Sequence, residues 1–184
     1  MTDSKEHNTL DWELKIITDA KRDISYFEPI YEKFYDKILR FTFRRVDSVD
    51  MAADLTAQTF LKAMADLPKY QVRGISILNW LYKIASNEVK QYYRKTKQEK
   101  SIYLEEEDIY RIKYEEPEGQ ESEFEKEKLI VVLNKISISD LEIIELKFFE
   151  GLTFEEISYI KQMKLSAVKM KVYRSLEKLR KLLK

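Results

Sequence analysis

The sequence predicts an all-α protein of two small helical domains joined by an acidic linker. Three observations predict it. Only three glycines and three prolines occur in 184 residues, and they fall between segments with helical apolar periodicity. No long alternating run of Val, Ile and Thr suggests a sheet. Residues 98–123 change composition abruptly. Glu105-Glu106-Glu107-Asp108, Glu115-Glu116, Glu118, Glu121 and Glu123 surround Pro117 and Gly119, as in a flexible tether, with a basic module on either side.

The elements follow in chain order. Residues 1–24 are polar, then mildly periodic at Leu10, Leu14 and Ile17, and read as an extension with one helix and no chemistry. The first domain spans 25–97. Phe27, Ile30, Tyr31, Phe34, Tyr35, Ile38, Leu39 and Phe41 to Phe43 give a broad apolar helical face, read as core. Val46 to Asp50 supplies a turn with cap residues. A second helix covers about Met51 to Leu67 and stops before Pro68. Met51, Leu55, Thr59 and Ala63 face inward, while Asp54, Gln58, Lys62 and Asp66 share the outer face. That row fits either a solvated face or a protein-docking face. A third helix runs from near Ile77 to about Lys97, with Leu78, Leu81, Ile84, Ala85 and Val89 as its packing stripe. Trp80, Tyr82, Lys83, Asn87, Lys90, Gln91, Tyr92, Tyr93 and Arg94 fall on its other faces. Between Lys83 and Lys100 there are six basic residues and two acids. Aromatics interleaved with cations suit single-stranded DNA, where bases stack on rings and phosphates meet Lys and Arg. They equally suit a packed core with a solubilising exterior.

The second domain spans 124–184. Phe124, Leu129, Val132, Leu133 and Ile136 restore helical periodicity. Ser137 or Ser139 caps a helix carrying Leu141, Ile144, Glu145 and Phe148, and Gly151 ends it. Thr153 and Glu156 form a capping-box signature for a short helix with Phe154, Ile157 and Ile160 on one face. After Lys161-Gln162-Met163, a longer helix places Leu165, Val168, Val172, Leu176 and Leu179 inward. From Lys161 to Lys184 there are nine basic residues against one acid, Glu177. A short helix, a tight turn and a helix with an apolar back and a positive front can occupy the major groove of DNA. Basic amphipathic helices also lie on membranes or pack as solvated termini.

Composition excludes other classes. The chain has no cysteine, which excludes disulfides and cysteine–metal sites. His7, the sole histidine, lies in a polar N-terminal stretch unsuited to catalysis. No apolar run approaches the roughly 18 residues of a membrane span, and no signal-like stretch opens the chain, so a cytoplasmic protein without membrane insertion is expected. Net charge is zero, so the placement of charge matters more than its sum.

Several segments together resemble the extracytoplasmic-function sigma factors of bacterial RNA polymerase, within the sigma-70 family. Asp54-Leu55 with Thr59-Phe60-Leu61-Lys62-Ala63 is similar to the family's DLxQETFLKA run. Trp80 to Asn87 resembles its WLYxIAxN run. Asp140 to Phe149, Glu150 to Ile157, and Val168-Lys169 with Arg174 resemble its C-terminal module. The resemblance covers about residues 25–97 and 124–184. It implies a region 2 domain that docks on the clamp of the largest polymerase subunit and melts the −10 promoter element. It also implies a region 4 helix-turn-helix domain that binds the flap and reads the −35 element. On that basis Asp54 and Gln58 are expected at the docking face. Asn87, Lys90 and Gln91, with Lys83 and Arg94 alongside, are expected at −10 DNA, and Lys147, Lys169, Met170, Tyr173 and Arg174 at −35 DNA. The implied partners are core RNA polymerase, promoter DNA and an anti-sigma factor. No cofactor, metal or enzymatic activity is implied.

The chain departs from the family pattern at defined places. Ala57 and Gln58 stand for the usual Gln-Glu pair. Gln162 stands where a turn glycine is common, and Lys164 replaces the usual Ser cap before the last helix. Met170 and Lys171 alter the recognition face. Two other readings fit parts of the pattern: a helix-turn-helix regulator acting without polymerase, which needs only residues 124–184, and a helical adaptor whose basic faces bind acidic partners.

Overall fold

A computed structural model describes residues 3–46, 48–96 and 126–183; the acidic stretch 98–123 and Phe124 lie outside them. The described residues are helical, with no strand among them, and group into two compact units. The first holds α1 (Asp3–Ala20), α2 (Glu28–Phe43), α3 (Val49–Asp66) and α4 (Ile77–Thr96). The second holds α5 (Lys126–Lys135), α6 (Ile138–Ile144), α7 (Phe154–Lys161) and α8 (Leu165–Leu183).

In the first unit α2, α3 and α4 pack against one another. Ile30, Phe34, Ile38 and Phe41 repeat at spacings of four, four and three, and all four are buried. Tyr31, on the same apolar run, stays 41% exposed. At the α2–α3 contact Ala52 is small enough to bring the backbones together, and the hydroxyls of Thr42 and Thr56 bond each other at 2.9 Å. Whichever hydroxyl accepts in that pair has Ala52 O within donating reach, so neither is left unsatisfied. Ser48 caps α3 by accepting from the Met51 N–H. Pro68 then closes the helix in a 3₁₀ turn, Leu67–Lys69.

Residues 1–24 carry more structure than an extension needs. Ile17 and Ala20 of α1 are buried, and so is its Glu13 carboxylate, at 2% exposure. Asp23 then caps a 3₁₀ turn, Ile24–Phe27, by accepting from the Ser25 N–H, which holds its carboxyl below the usual range. That turn delivers Phe27 into the core at the start of α2. Tyr82 is likewise a core residue and not part of an outward face of α4: it is 1% exposed and its ring lies 4.9 Å from that of Phe41.

In the second unit α8 is the common neighbour, packing against α5, α6 and α7. Leu129, Leu133, Val168, Val172 and Leu179 are buried, as is Ser175, which the apolar periodicity passes over. Ser175 donates to Asp140 Oδ1 at 3.1 Å, and Lys178 donates to Oδ2 at 2.6 Å, tying α8 to the first turn of α6. Ser137, rather than Ser139, caps α6 by accepting from the Asp140 N–H. Burial pushes the Asp140 carboxyl up, but hydrogen bonds from Lys178, Ser137 and Ser175 and the Lys178 charge bring it below its ordinary value. The helix predicted through Phe148 instead widens into a π turn over Glu145–Phe149, with Glu150 N–H bonding Glu145 O at 2.9 Å. Gly151, at φ 67°, ends it.

The turn between α7 and α8 explains two sequence departures. Gln162 adopts φ 53° and ψ 42°, the left-handed region where a side chain is strained. Ser158 stitches the turn from both ends: its carbonyl accepts from Met163 N–H at 3.2 Å, and its hydroxyl donates to Met163 O at 2.6 Å. Lys164 contributes only its carbonyl, which accepts from Val168 N–H, because its side chain has no acceptor.

Two outcomes are expected. Gln162→Gly relieves the left-handed strain and stabilises the second unit by about 1 kcal/mol net of glycine's greater unfolded-state entropy; urea denaturation reads it, and an unchanged or lower midpoint refutes it. Asp140, held below its ordinary pKa, stabilises the fold fully above that ordinary value of 3.8 and loses the contribution as pH falls through the folded value. Asp140→Asn should lower stability at neutral pH and flatten the acid limb of a stability–pH curve below about pH 4.

Candidate nucleic-acid interface

On α4, Lys83, Asn87, Lys90, Gln91 and Arg94 recur at spacings of three and four and form one stripe. Asn87, Lys90 and Arg94 are exposed; Lys83 and Gln91 are half-buried. The stripe is exposed because Leu81, Ala85 and Val89 fill the opposite side. Glu88 is the one acid on α4, and it points away from solvent, 4% exposed and bonded to Lys62 of α3 at 2.5 Å. Its charge is therefore compensated locally, and the stripe keeps a positive and amide character. Tyr92 and Tyr93, with ring centroids 5.6 Å apart, stand half-buried at its C-terminal end. Trp80, in the first turn of α4, packs its ring against buried Tyr70 of the preceding loop at 4.5 Å and is not part of the stripe.

Asp54 and Gln58 lie exposed on α3 with Lys62 one turn further along. Leu55, Thr59 and Ala63 beneath them are buried, which fixes that row outward. These residues form a separate polar row on the same unit, joined to α4 through the Lys62–Glu88 pair.

In the second unit three of the five candidate residues, Lys147, Lys169 and Tyr173, gather around one aromatic ring. Phe154, the first residue of α7, is half-buried, although the periodicity places it inward with Ile157 and Ile160. The capping box fixes it: Thr153 accepts from Glu156 N–H, and the Glu156 carboxylate accepts from Thr153 N–H at 2.8 Å. Lys147 Nζ lies 5.1 Å and Lys169 Nζ 5.6 Å from the Phe154 ring centroid, and the Tyr173 ring lies 6.4 Å away. Lys147 comes from the π turn and also donates to Leu152 O at 3.3 Å. Lys169 and Tyr173 come from successive turns of α8. Met170 is 51% and Tyr173 62% exposed, and Arg174 is exposed beside them. The back of the same turns, Val168, Val172 and Ser175, is buried. Two ammoniums on a ring face, a tyrosine, a thioether and a guanidinium thus share one outward surface. It can meet phosphates and base edges together.

Sequence reasoning missed Phe154 as the centre of this group. Its available signal was its place directly after a cap, where a helix residue sits at a boundary rather than in a core. Among the described residues no three His, Cys, Asp or Glu side chains converge as a metal site requires, and no helix is long and apolar enough to cross a membrane.

Residues 30–99 match the family model described as Sigma-70 region 2. The chain is 31% identical over 156 residues to the RNA polymerase sigma factor YlaC of Bacillus subtilis (strain 168), covering 84% of this chain and 90% of that one. It is 23% identical over 158 residues to the ECF RNA polymerase sigma factor BldN of Streptomyces coelicolor, covering 85% of this chain and 60% of BldN. Its fold is similar to that of the sigma factor RpoE from Bartonella quintana, solved with the anti-sigma factor NepR, at a TM-score of 0.63 and 22% identity, over 85% of this chain and 96% of that one.

Phe154→Leu keeps an apolar residue after the cap but removes the ring face that gathers Lys147 and Lys169. Affinity of the chain for duplex DNA is expected to fall about fivefold, the scale of two exposed cation–π contacts, with little change in melting temperature. Fluorescence anisotropy at fixed salt measures it; equal affinity for both proteins removes the ring from the interface.

Proposed function

Because the chain belongs to the extracytoplasmic-function class of RNA polymerase sigma factors, we propose that its two outward cationic faces divide one promoter between them. The α4 stripe takes the −10 element and the Phe154-centred face takes the −35 element. Sigma factors are transcription initiation factors; core polymerase performs the chemistry, and this chain supplies specificity. The single observation that carries the division is geometric: each recognition helix buries one side, Leu81, Ala85 and Val89 on α4 and Val168, Val172 and Leu179 on α8, and so presents the other.

Roles follow from side-chain chemistry. Asn87 and Gln91 hold paired donors and acceptors that can bond the edge of an unstacked base, while Lys83, Lys90 and Arg94 hold the strand's phosphates. Arg174 can bond guanine O6 and N7 in the major groove, and Lys147 and Lys169 neutralise phosphates. Asp54 and Gln58 dock on the clamp of the largest polymerase subunit, and the second unit binds the flap. Ala57 and Gln58 in place of Gln-Glu remove one charge from that docking row. The reading includes an anti-sigma protein as inhibitor, because the family resemblance implies one, and action in the cytoplasm, where core polymerase works. An operator-binding regulator would need only the second unit and would leave the α4 stripe idle.

Runoff transcription with core polymerase over a promoter library tests the whole reading; failure of the purified chain to associate with core enzyme ends it. Within that assay Asn87→Ala should lower strand opening about tenfold, one lost bidentate contact, and leave duplex binding intact. Permanganate reactivity of the −10 thymines reports opening. Arg174→Ala should weaken −35-dependent output by a similar factor, and its measured salt slope separates base from phosphate contact: about one unit shallower if the guanidinium meets phosphate.

A further inference from the structure

The α4 stripe depends on how α4 is held, and its N-terminal end is held from outside the helix. Glu13 of α1, 63 and 64 residues away in sequence from its partners, accepts from Ser76 Oγ–H at 2.9 Å and from Ile77 N–H at 2.8 Å. Ser76 meanwhile accepts from Leu78 N–H at 3.2 Å. The first turn of α4 therefore has two caps, a local hydroxyl and a remote carboxylate. The remote one matters more than an ordinary cap. Ile77 is fully buried, so without Glu13 its N–H faces no water and no acceptor. The carboxylate is itself buried, and it is compensated from two directions. The positive end of the 20-residue α4 lies on one side, and Lys33 Nζ, held 4.1 Å above the Trp12 ring, lies 3.8 Å away on the other.

We infer that Glu13 is a positioning residue for promoter opening: from α1 it fixes the start of α4 and thereby the place of Asn87 and Gln91 against the exposed −10 strand. Asn87 lies ten residues beyond Ile77, about 15 Å along the axis at the helical rise. A rigid helix released at one end carries a small tilt there into a displacement at its stripe. A bidentate bond to a base edge tolerates little displacement, whereas phosphate contacts by flexible Lys and Arg tolerate much. Loss of Glu13 should therefore act on opening and spare duplex binding. The inference rests on the −10 reading of the α4 stripe.

The experiment uses the full chain with core polymerase and a promoter duplex, and compares Glu13→Ala, Glu13→Gln, Asn87→Ala and the double variant Glu13→Ala/Asn87→Ala. Closed-complex affinity and −10 permanganate reactivity are read together. Glu13→Ala should cut opening about five- to tenfold, the scale of a lost buried cap, with duplex binding within about twofold. Glu13→Gln can present its oxygen to Ile77 N–H and its amide to Ser76 Oγ, and should recover most of the loss. On the Asn87→Ala background, Glu13→Ala should cost clearly less than it does alone, since one of the two base contacts it positions is gone. A purely structural role would give additive losses and lower binding as well, and either result overturns the inference. If Asn87→Ala itself leaves opening unchanged, the −10 reading fails; if Asn87→Ala impairs opening but Glu13→Ala matches the wild type, the inference alone fails. Should Glu13→Ala not fold, Glu13→Asp, whose carboxylate is one methylene short, should give an intermediate opening defect that likewise shrinks on the Asn87→Ala background, and wild-type opening by Glu13→Asp would overturn the inference.

Discussion

The two outward cationic faces exist because two amphipathic helices, α4 and α8, each bury their apolar side. On α8, Val168, Val172, Ser175 and Leu179 are held against α5, α6 and α7. Helical geometry leaves Lys169, Met170, Tyr173 and Arg174 no direction but outward. The burial is reinforced by polar ties rather than by apolar area alone. Asp140 takes hydrogen bonds from Ser175 and Lys178 and fixes the rotation of α8 about its axis. A slip of one residue would bury a lysine and expose a valine. The same constraint works on α4, where Leu81, Ala85 and Val89 oppose the Asn87 stripe.

Acids in both units are placed so that they do not oppose the cationic faces. Glu88 turns inward to Lys62, and Glu142 pairs with Lys161 at the end of α7. Asp140 meets Lys178 on the flank of α8 rather than on its front. With equal numbers of acids and bases, the chain creates local positive fields by where it hides its carboxylates, not by excess charge. A surface of this kind carries a local positive field while net charge stays at zero.

Much of this could be read in the sequence, and the failures have specific causes. The three-and-four spacing of Ile30, Phe34, Ile38 and Phe41, or of Val168 and Val172, reports a buried face directly. Thr153 and Glu156 announce a helix start because both halves of the capping box are local. Tyr82 failed because periodicity gives a side chain's direction on its own helix, not what stands opposite: Phe41, forty-one positions earlier, makes it core. Phe154 failed in the other direction, since an aromatic on the predicted inner face lies at the edge, where Lys147 and Lys169 reach its ring. The π turn under Lys147 has no local signature in Glu145 to Phe149.

The sequence by itself determined the helical class, most helix starts and stops, and the two clusters of positive charge, because these depend on backbone propensity and on contacts within about one turn. Gln162 belongs partly here: its place in a tight turn was legible, and the positive φ followed. Tertiary structure alone decided which hydroxyl and carboxylate ties hold the helices, that residues 3–20 join the first unit through Glu13, and that Lys147, Lys169 and Tyr173 from two elements meet at Phe154. These depend on pairings between groups dozens of residues apart, whose free energy appears only once the chain has brought them within hydrogen-bonding distance.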